Sequence, residues 1–415
     1  MNTLVPLLAL AALTPAHAQT IAIAGGPPAG TAAEQLEDDP YTRYELLDPR
    51  SGKFRILYEV SATEPGATSY FNPIRKGSRA SDERMTDLTT GKSLPFRIVN
   101  GTTARVLGLK DAELDGEYLQ VTLARPVSPN GGEGRILIDK TYEDAKSYYI
   151  EGQFIVFDRS LGIDRNAVVL PAGYTLVSCN LPAQILREAD GRTKVSFWDL
   201  SPAGAPLVLK ARLVRIQENG RSSVAPEKLE ERASQTREIV YLLKQPETHS
   251  FELYHDYTEK RAGTSTYINV VRAGSKVSNP SGVNLDTGQQ IKSRVVYGAD
   301  ITRAAPETKG VTGNSEAVVF SFQPIPAGGS ARLRFRETYT DRGNYRLVDD
   351  ELVWERTLGR AANAVVLPAG WVVTNSSAPA IASVLLDGRL RLDYLNPRAD
   401  ELKVLITARR GKLAK

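Results

Sequence analysis

Arg159-Ser-Leu-Gly-Ile-Asp-Arg-Asn166-Ala-Val-Val-Leu-Pro171-Ala-Gly173 returns later in the chain as Arg356-Thr-Leu-Gly-Arg-Ala-Ala-Asn363-Ala-Val-Val-Leu-Pro368-Ala-Gly370. The two stretches are 197 residues apart, and the offset holds far beyond them. Phe54 maps onto Phe251, Tyr70 onto Tyr267, Asn72 onto Asn269 and Tyr142 onto Tyr339. Between 131 and 192, 24 of 62 residues recur at this offset with no gap. The chain reads as a tandem duplication of one unit.

That unit is β-rich. Phe54, Ile56, Tyr58 and Val60 alternate with Lys53, Arg55, Leu57 and Glu59, the period-two signature of a half-buried strand. The copies check one another. Ile136 and Ile138 answer to Leu333 and Phe335, an inward face, whereas Leu137 and Asp139 answer to Arg334 and Arg336, an outward one. Proline and glycine punctuate the chain every ten or so residues, as at Pro171-Ala-Gly173, Asp190-Gly191 and their counterparts Pro368 and Gly370. The expected fold class is all-β: two tandem homologous antiparallel β-sandwich units joined by a short helical linker.

The expected boundaries follow. Residues 1–18 read as a signal peptide, with an apolar run from Leu4 to Leu13 and a small-x-small site at Ala16-His17-Ala18. Residues 19–40 form a flexible leader rich in Ala, Gly and Pro, and 41–214 form the first unit. Residues 215–237 are the linker, expected to be part helical over Pro226–Arg237. The second unit spans 238–410, and 411–415 is a basic tail. Cleavage near Ala18 would export the chain, to the periplasm or the cell exterior. No later segment is apolar for long enough to span a membrane as a helix.

The chemistry is sparse. The net charge of +4 comes with no basic stripe, which argues against nucleic-acid binding. Cys179 is the only cysteine, so no intrachain disulfide forms; it is expected to be a small buried hydrophobe or a bridge to another chain. No catalytic residue is assigned and no cofactor is expected. Asp144 and Asp158, with Tyr142, Tyr148 and Tyr149 interleaved, are the carboxylates that a glycan-cleaving site would use. Asp164, Arg165 and Trp198 are polar or aromatic in one copy only, and join those tyrosines as binding candidates. His255 is the metal candidate, because His255-Asp256 could offer two ligands; His249 lies about 20 Å away along a strand, too far to share one ion. Residues kept in both copies are assigned to the fold: Arg159 and Arg356, Asn166 and Asn363, Pro171 and Pro368, Gly173 and Gly370. Arg159 is expected against a carboxylate or carbonyls, and Asn166 at a turn.

Asn166-Ala-Val-Val-Leu-Pro-Ala-Gly-Tyr174, followed by Leu181-Pro182 and Asp190-Gly191, resembles exported bacterial β-rich proteins of no assigned activity. It is also similar to the N-terminal β-domain of gluzincin aminopeptidases. The resemblance covers about 40 residues per copy and implies a β-sandwich platform without the peptidase domain. It carries no catalytic residue over. The leading expectation is an exported, non-catalytic module that meets an envelope protein or a glycan. A carbohydrate-active hydrolase using Asp144 and Asp158 is the alternative. A metal-dependent accessory subunit using His255 is the third reading.

Overall fold

The computed structural model describes residues 35, 37–199, 204–214, 229–235, 238–304, 310–398 and 400–411. The signal peptide, most of the leader, residues 215–228 and 236–237 of the linker and the end of the tail lie outside them. No helix among the described residues is long and apolar enough to cross a membrane.

Strands dominate, as expected. The first seven are β1 (Glu37–Leu46), β2 (Lys53–Ala62), β3 (Ser69–Ile74), β4 (Arg79–Asp87), β5 (Phe96–Asn100), β6 (Glu117–Thr122) and β7 (Gly134–Glu143). Next come β8 (Tyr148–Glu151), β9 (Phe154–Leu161), β10 (Arg165–Val169), β11 (Tyr174–Cys179), β12 (Gln184–Arg187), β13 (Thr193–Trp198) and β14 (Ala205–Leu213). The second half supplies β15 (Glu238–Leu243), β16 (Ser250–Glu259), β17 (Thr266–Val270), β18 (Lys276–Asn284), β19 (Gln289–Tyr297), β20 (Glu316–Ser321) and β21 (Ala331–Thr340). It closes with β22 (Tyr345–Val348), β23 (Glu351–Leu358), β24 (Ala362–Val366), β25 (Trp371–Ser376), β26 (Ile381–Val384), β27 (Leu390–Leu395) and β28 (Leu402–Arg410).

In the first half one sheet runs β12-β13-β10-β1-β2-β7-β4; in the second the order β26-β27-β24-β15-β16-β21-β18 repeats it. A four-stranded sheet, β11-β14-β9-β8, is likewise matched by β25-β28-β23-β22. The halves differ at one seam. β18 pairs with β19 through Gly282–Asn284, which welds β17-β20-β19 into a ten-stranded sheet. Its counterpart β3-β6-β5 stays separate, with only a Thr86–Ser93 bridge at that place.

Three expectations need correction. The sheets are mixed, not purely antiparallel: β1 pairs in parallel with β10, and β15 with β24. The quoted stretch explains why. Ala167, Val168, Val169 and Leu170 are all fully buried, as are Ala364 to Leu367, so this strand is covered on both faces and shows no alternation. The linker also differs. Over 229–235 the chain forms a bend and turn, not a helix. There Arg165 takes the carbonyls of Ala233 and Gln235, and these tertiary bonds override the local helix propensity. In addition, β1 begins at Glu37, ahead of the expected boundary at 41.

The cores repeat as well. Tyr44, Phe54, Tyr142 and Phe157 meet as a ring cluster, with centroids 5.3–6.1 Å apart. Their counterparts Tyr241, Phe251, Tyr339 and Trp354 lie 5.4–6.4 Å apart. Phe157 and Leu207 from the four-stranded sheet share one apolar core with Phe54 from the seven-stranded one, so the sheets stack face to face. Cys179 is half-buried against that core.

The Pro-Ala-Gly turns close with Tyr174 N–H donating to Pro171 O and Trp371 N–H to Pro368 O. Each proline therefore stands one place before the corner, and glycine holds the position with φ near +81° or +82°. Nothing lies within 4 Å of where a Cβ on Gly370 would sit, so only backbone strain opposes a side chain there. Gly370→Ala is expected to cost about 1–2 kcal/mol in urea unfolding, with Ala369→Gly as the control. An unchanged midpoint would show that the turn can adopt another type.

Candidate functional site

Asp144 follows β7 and sits beneath the aromatic cluster, where the chain turns into β8. Its carboxylate accepts from Ser147 Oγ at 2.7 Å, from Ser78 Oγ at 3.1 Å and from Arg159 Nη1 at 3.1 Å. Burial works to raise its pKa, but the bonds from Ser147 and Ser78 and the Arg159 charge outweigh it and hold the carboxyl below its usual range. The Arg159 guanidinium lies 5.4 Å from the Phe54 ring and 5.6 Å from Tyr142. The second half repeats the arrangement: Asp341 accepts from Ser275 Oγ at 3.0 Å, Arg356 approaches at 3.8 Å, and Phe251 and Tyr339 cover the guanidinium.

Asp158 is exposed on β9. It is adjacent to Arg159, which points inward, so its side chain leaves the opposite face of the strand and the two carboxylates do not converge. Tyr142 and Tyr148 are buried, and Tyr148 Oη donates to Leu47 O at 2.9 Å. Tyr149 and Trp198 are half-buried. Burial, with Asp199 beside it, pushes Asp164 above the usual carboxyl range. Arg165 is spent on Asp39, on Pro40 O and on the linker carbonyls. Asn166 and Asn363 each donate from Nδ2 to a carbonyl three residues back, that of Ile163 and of Arg360. His255 is buried among Tyr257, Tyr267 and Phe335, with Tyr267 Oη at 3.5 Å from Nδ1. Among the described residues no three His, Cys, Asp or Glu side chains gather as metal ligands would.

The densest polar constellation lies elsewhere, between the halves. Asp286 follows β18 and is fully covered; it takes a bidentate bond from Arg135 at the start of β7, at 2.5 and 3.0 Å. Arg135 also donates to Ser330 Oγ and O. Asp286 further accepts from Arg332 N–H and from Thr89 Oγ1, and its backbone carbonyl accepts from Arg125. Two backbone bonds cross the seam, Glu133 N–H to Leu285 O and Ser330 N–H to Thr89 O. Thr89 and Asp286 are counterparts at the 197-residue offset, as are Leu88 and Leu285, and Glu133 and Ser330. Each turn thus meets its own copy, close to a two-fold contact but one residue out of register, since Ser330 N–H reaches Thr89 O while Leu88 O accepts from Ser330 Oγ. Gly329 makes the approach possible: a Cβ there would lie 2.4 Å from Thr89 O.

Residues 229–235 add a strap between the halves. Glu231 accepts from Tyr41 Oη and Ser196 Oγ at 2.8 Å each and pairs with Lys194 at 2.6 Å. Its neighbour Arg232 donates the other way, to Asn396 O and Gly359 O in the second half. A shallow cleft of about 350 Å³ opens along the seam, lined by Glu59, Ser61, Arg135, Thr258, Lys260 and others. Its enclosed part is no larger than a water needs.

Sequence reasoning missed this seam. The signal was present at Asp286, a charge in one copy where the other has Thr89 flanked by repeated residues.

No sequence-family profile and no curated protein matches this chain. Among solved structures it is similar to an aminopeptidase N family protein from Idiomarina loihiensis, at 10% identity and TM-score 0.27, over 42% of this chain and 29% of that one. It is similar to an M1 zinc metallopeptidase from Deinococcus radiodurans at 14% identity and TM-score 0.27, over 42% of each chain. A putative nutrient-binding protein from Legionella pneumophila is similar at 10% identity and TM-score 0.26, over 44% of this chain and 68% of that one. The chain thus spans less than half of either peptidase, and likeness at these scores carries no argument about activity.

Removing the Asp286 carboxylate would strand Arg135 in the seam. Asp286→Ala is expected to cost about 3–5 kcal/mol and to split denaturant unfolding into separate transitions for the two halves. The pair Arg135→Met with Asp286→Leu should recover much of that loss. A single transition at the wild-type midpoint in Asp286→Ala would show that the seam does not couple the halves.

Proposed function

We propose that this chain is an exported, non-catalytic protein whose two homologous β-sandwich units, 41–214 and 238–410, act as a binding or assembly module in a bacterial envelope. The Asp144 environment carries this reading. A general acid needs a carboxyl held protonated near neutral pH, and a nucleophile must reach substrate. Asp144 is held ionised and covered, and the same ion pair recurs at Asp341 and Arg356, which marks it as part of the fold.

The seam supports the same reading. Two units fixed by Arg135, Asp286 and the Glu231–Arg232 strap present their outer surfaces in a constant relation. Rigid spacing of two linked surfaces raises effective concentration for a repetitive partner such as a glycan or an assembled envelope protein. The sequence features of residues 1–18 support export.

The test pairs binding with hydrolysis. Envelope glycans and peptidoglycan fragments are expected to give saturable binding by calorimetry or thermal shift, with no release of reducing ends. Asp144→Ala should lower the unfolding free energy by the amount typical of a broken buried pair, about 3 kcal/mol, and Asp158→Ala should not. Glycan cleavage by the wild type that Asp158→Ala abolishes would overturn the non-catalytic reading in favour of the hydrolase. Absence of binding across the glycans would direct the search to a protein partner, by crosslinking in the envelope.

A further inference from the structure

Lys140 on β7 and Glu337 on β21 occupy the same place in the two halves. Both point inward, 4% and 2% exposed. Lys140 Nζ donates to Asn72 Oδ1 at 2.5 Å and to Tyr142 Oη at 3.1 Å. Glu337 Oε2 accepts from Asn269 Nδ2 at 2.6 Å and from Tyr339 Oη at 2.9 Å. These are the same two neighbours, since Asn72 and Tyr142 answer to Asn269 and Tyr339. An amide accepts at one end and donates at the other, and a phenol does either. One frame therefore holds a cation in the first half and an anion in the second.

Neutral partners leave each buried charge uncompensated. Around Lys140 stand Ile56 of β2 across the ladder, Asn72 of β3 and Tyr142; the Arg159 charge of β9 opposes the ammonium, and Glu83 in β4 favours it only through space. Around Glu337 stand Leu253 of β16 across the ladder and His255 two pairs along, opposite Phe335, with Asn269 of β17, and Tyr339, whose ring Arg356 covers. Glu337 Oε1 is buried with no hydrogen-bond partner among the described residues.

We propose that these two slots form a pH-responsive device of opposite senses: alkali firms the first half, acid firms the second, and the chain is weakest near neutrality. Burial, with Arg159 adding to it, lowers the Lys140 ammonium to about 7. From there up to the ordinary lysine value the unfolded chain holds a proton that the folded chain has lost, so stability of the first half rises with pH. Burial raises the Glu337 carboxyl to about 7 against the pull of its two hydrogen bonds. Between the ordinary glutamate value and that point the folded chain keeps a proton that the unfolded chain releases, so stability of the second half falls as pH rises.

The experiment is denaturant unfolding of the full chain at about pH 5, 7 and 9, read by 19F signals of fluorotryptophan. Trp198 reports the first half; Trp354 and Trp371 report the second. The Trp198 transition should strengthen from neutral to alkaline pH and the Trp354 transition from neutral to acid pH, each by about tenfold or more in the unfolding equilibrium. Lys140→Met should flatten only the alkaline limb and Glu337→Gln only the acid limb. If the halves unfold together, one curve with a minimum near neutrality and the same selective flattening carries the same support. Limbs that survive both variants overturn the proposal. Should a variant fail to fold, a 13C titration of wild-type Glu337 and Lys140 decides: ordinary glutamate and lysine midpoints overturn it.

Discussion

A guanidinium buried under aromatic rings is the constraint on which each half of this chain depends. Arg159 and Arg356 are 8% and 9% exposed, so each needs a carboxylate at the site. Asp144 and Asp341 meet that need from the turn after β7 and β21, and in doing so fix where the four-stranded sheet docks. Ring faces above the guanidinium add favourable contact without competing for its donors. Because the pair joins a turn of one sheet to a strand of the other, it ties the layers together rather than decorating a surface. The second copy holds the same pair more loosely, at 3.8 Å against 3.1 Å, and replaces Phe157 with the larger Trp354.

Duplication then set a second problem, how two copies of one surface should meet. A turn that meets its own copy is self-complementary only if its charges alternate or one copy changes. Here the second happened. Asp286 stands where Thr89 does in the first half, and the arginines at both counterparts, Arg135 and Arg332, approach that one carboxylate through side chain and backbone respectively. Arg332 sends its own side chain to Asp39 instead. The backbone contact is two-fold only to within one residue, Leu285 O on one side and Thr89 O on the other, and the charge is asymmetric.

What the sequence disclosed and what it withheld divide along a physical line. Period-two alternation and the 197-residue offset reveal which residues face inward, because the pleat fixes that locally. Ile136, Ile138, Leu333 and Phe335 are buried as their alternation requires. Asn166, expected at a turn, lies on β10 and reaches back to the Ile163 carbonyl just ahead of the strand. Parallel pairing of β1 with β10 was not legible, because the run Ala167–Leu170 loses its alternation when covered on both faces. Arg135 and Asp286 are 151 residues apart, and no local pattern says which outward turns will meet. Recurrence also misled in one respect. It sorted shared residues toward the fold, yet Asp286, present in only one copy, is structural, and Arg165, also unique, serves the linker rather than a ligand.

The interior slots show how far a duplicated fold can drift without rearrangement. Reversing a buried charge normally requires new partners, and new partners require a new backbone path. Asn and Tyr remove that requirement, since rotating an amide by half a turn exchanges its donor for its acceptor at almost unchanged shape. The Asn72 and Asn269 strands can therefore keep their register while Lys140 and Glu337 differ in sign. The two halves keep one architecture and part in how their interiors answer to protons. A duplicated chain thereby acquires asymmetry without giving up the ion pair and ring cluster that each copy needs to fold.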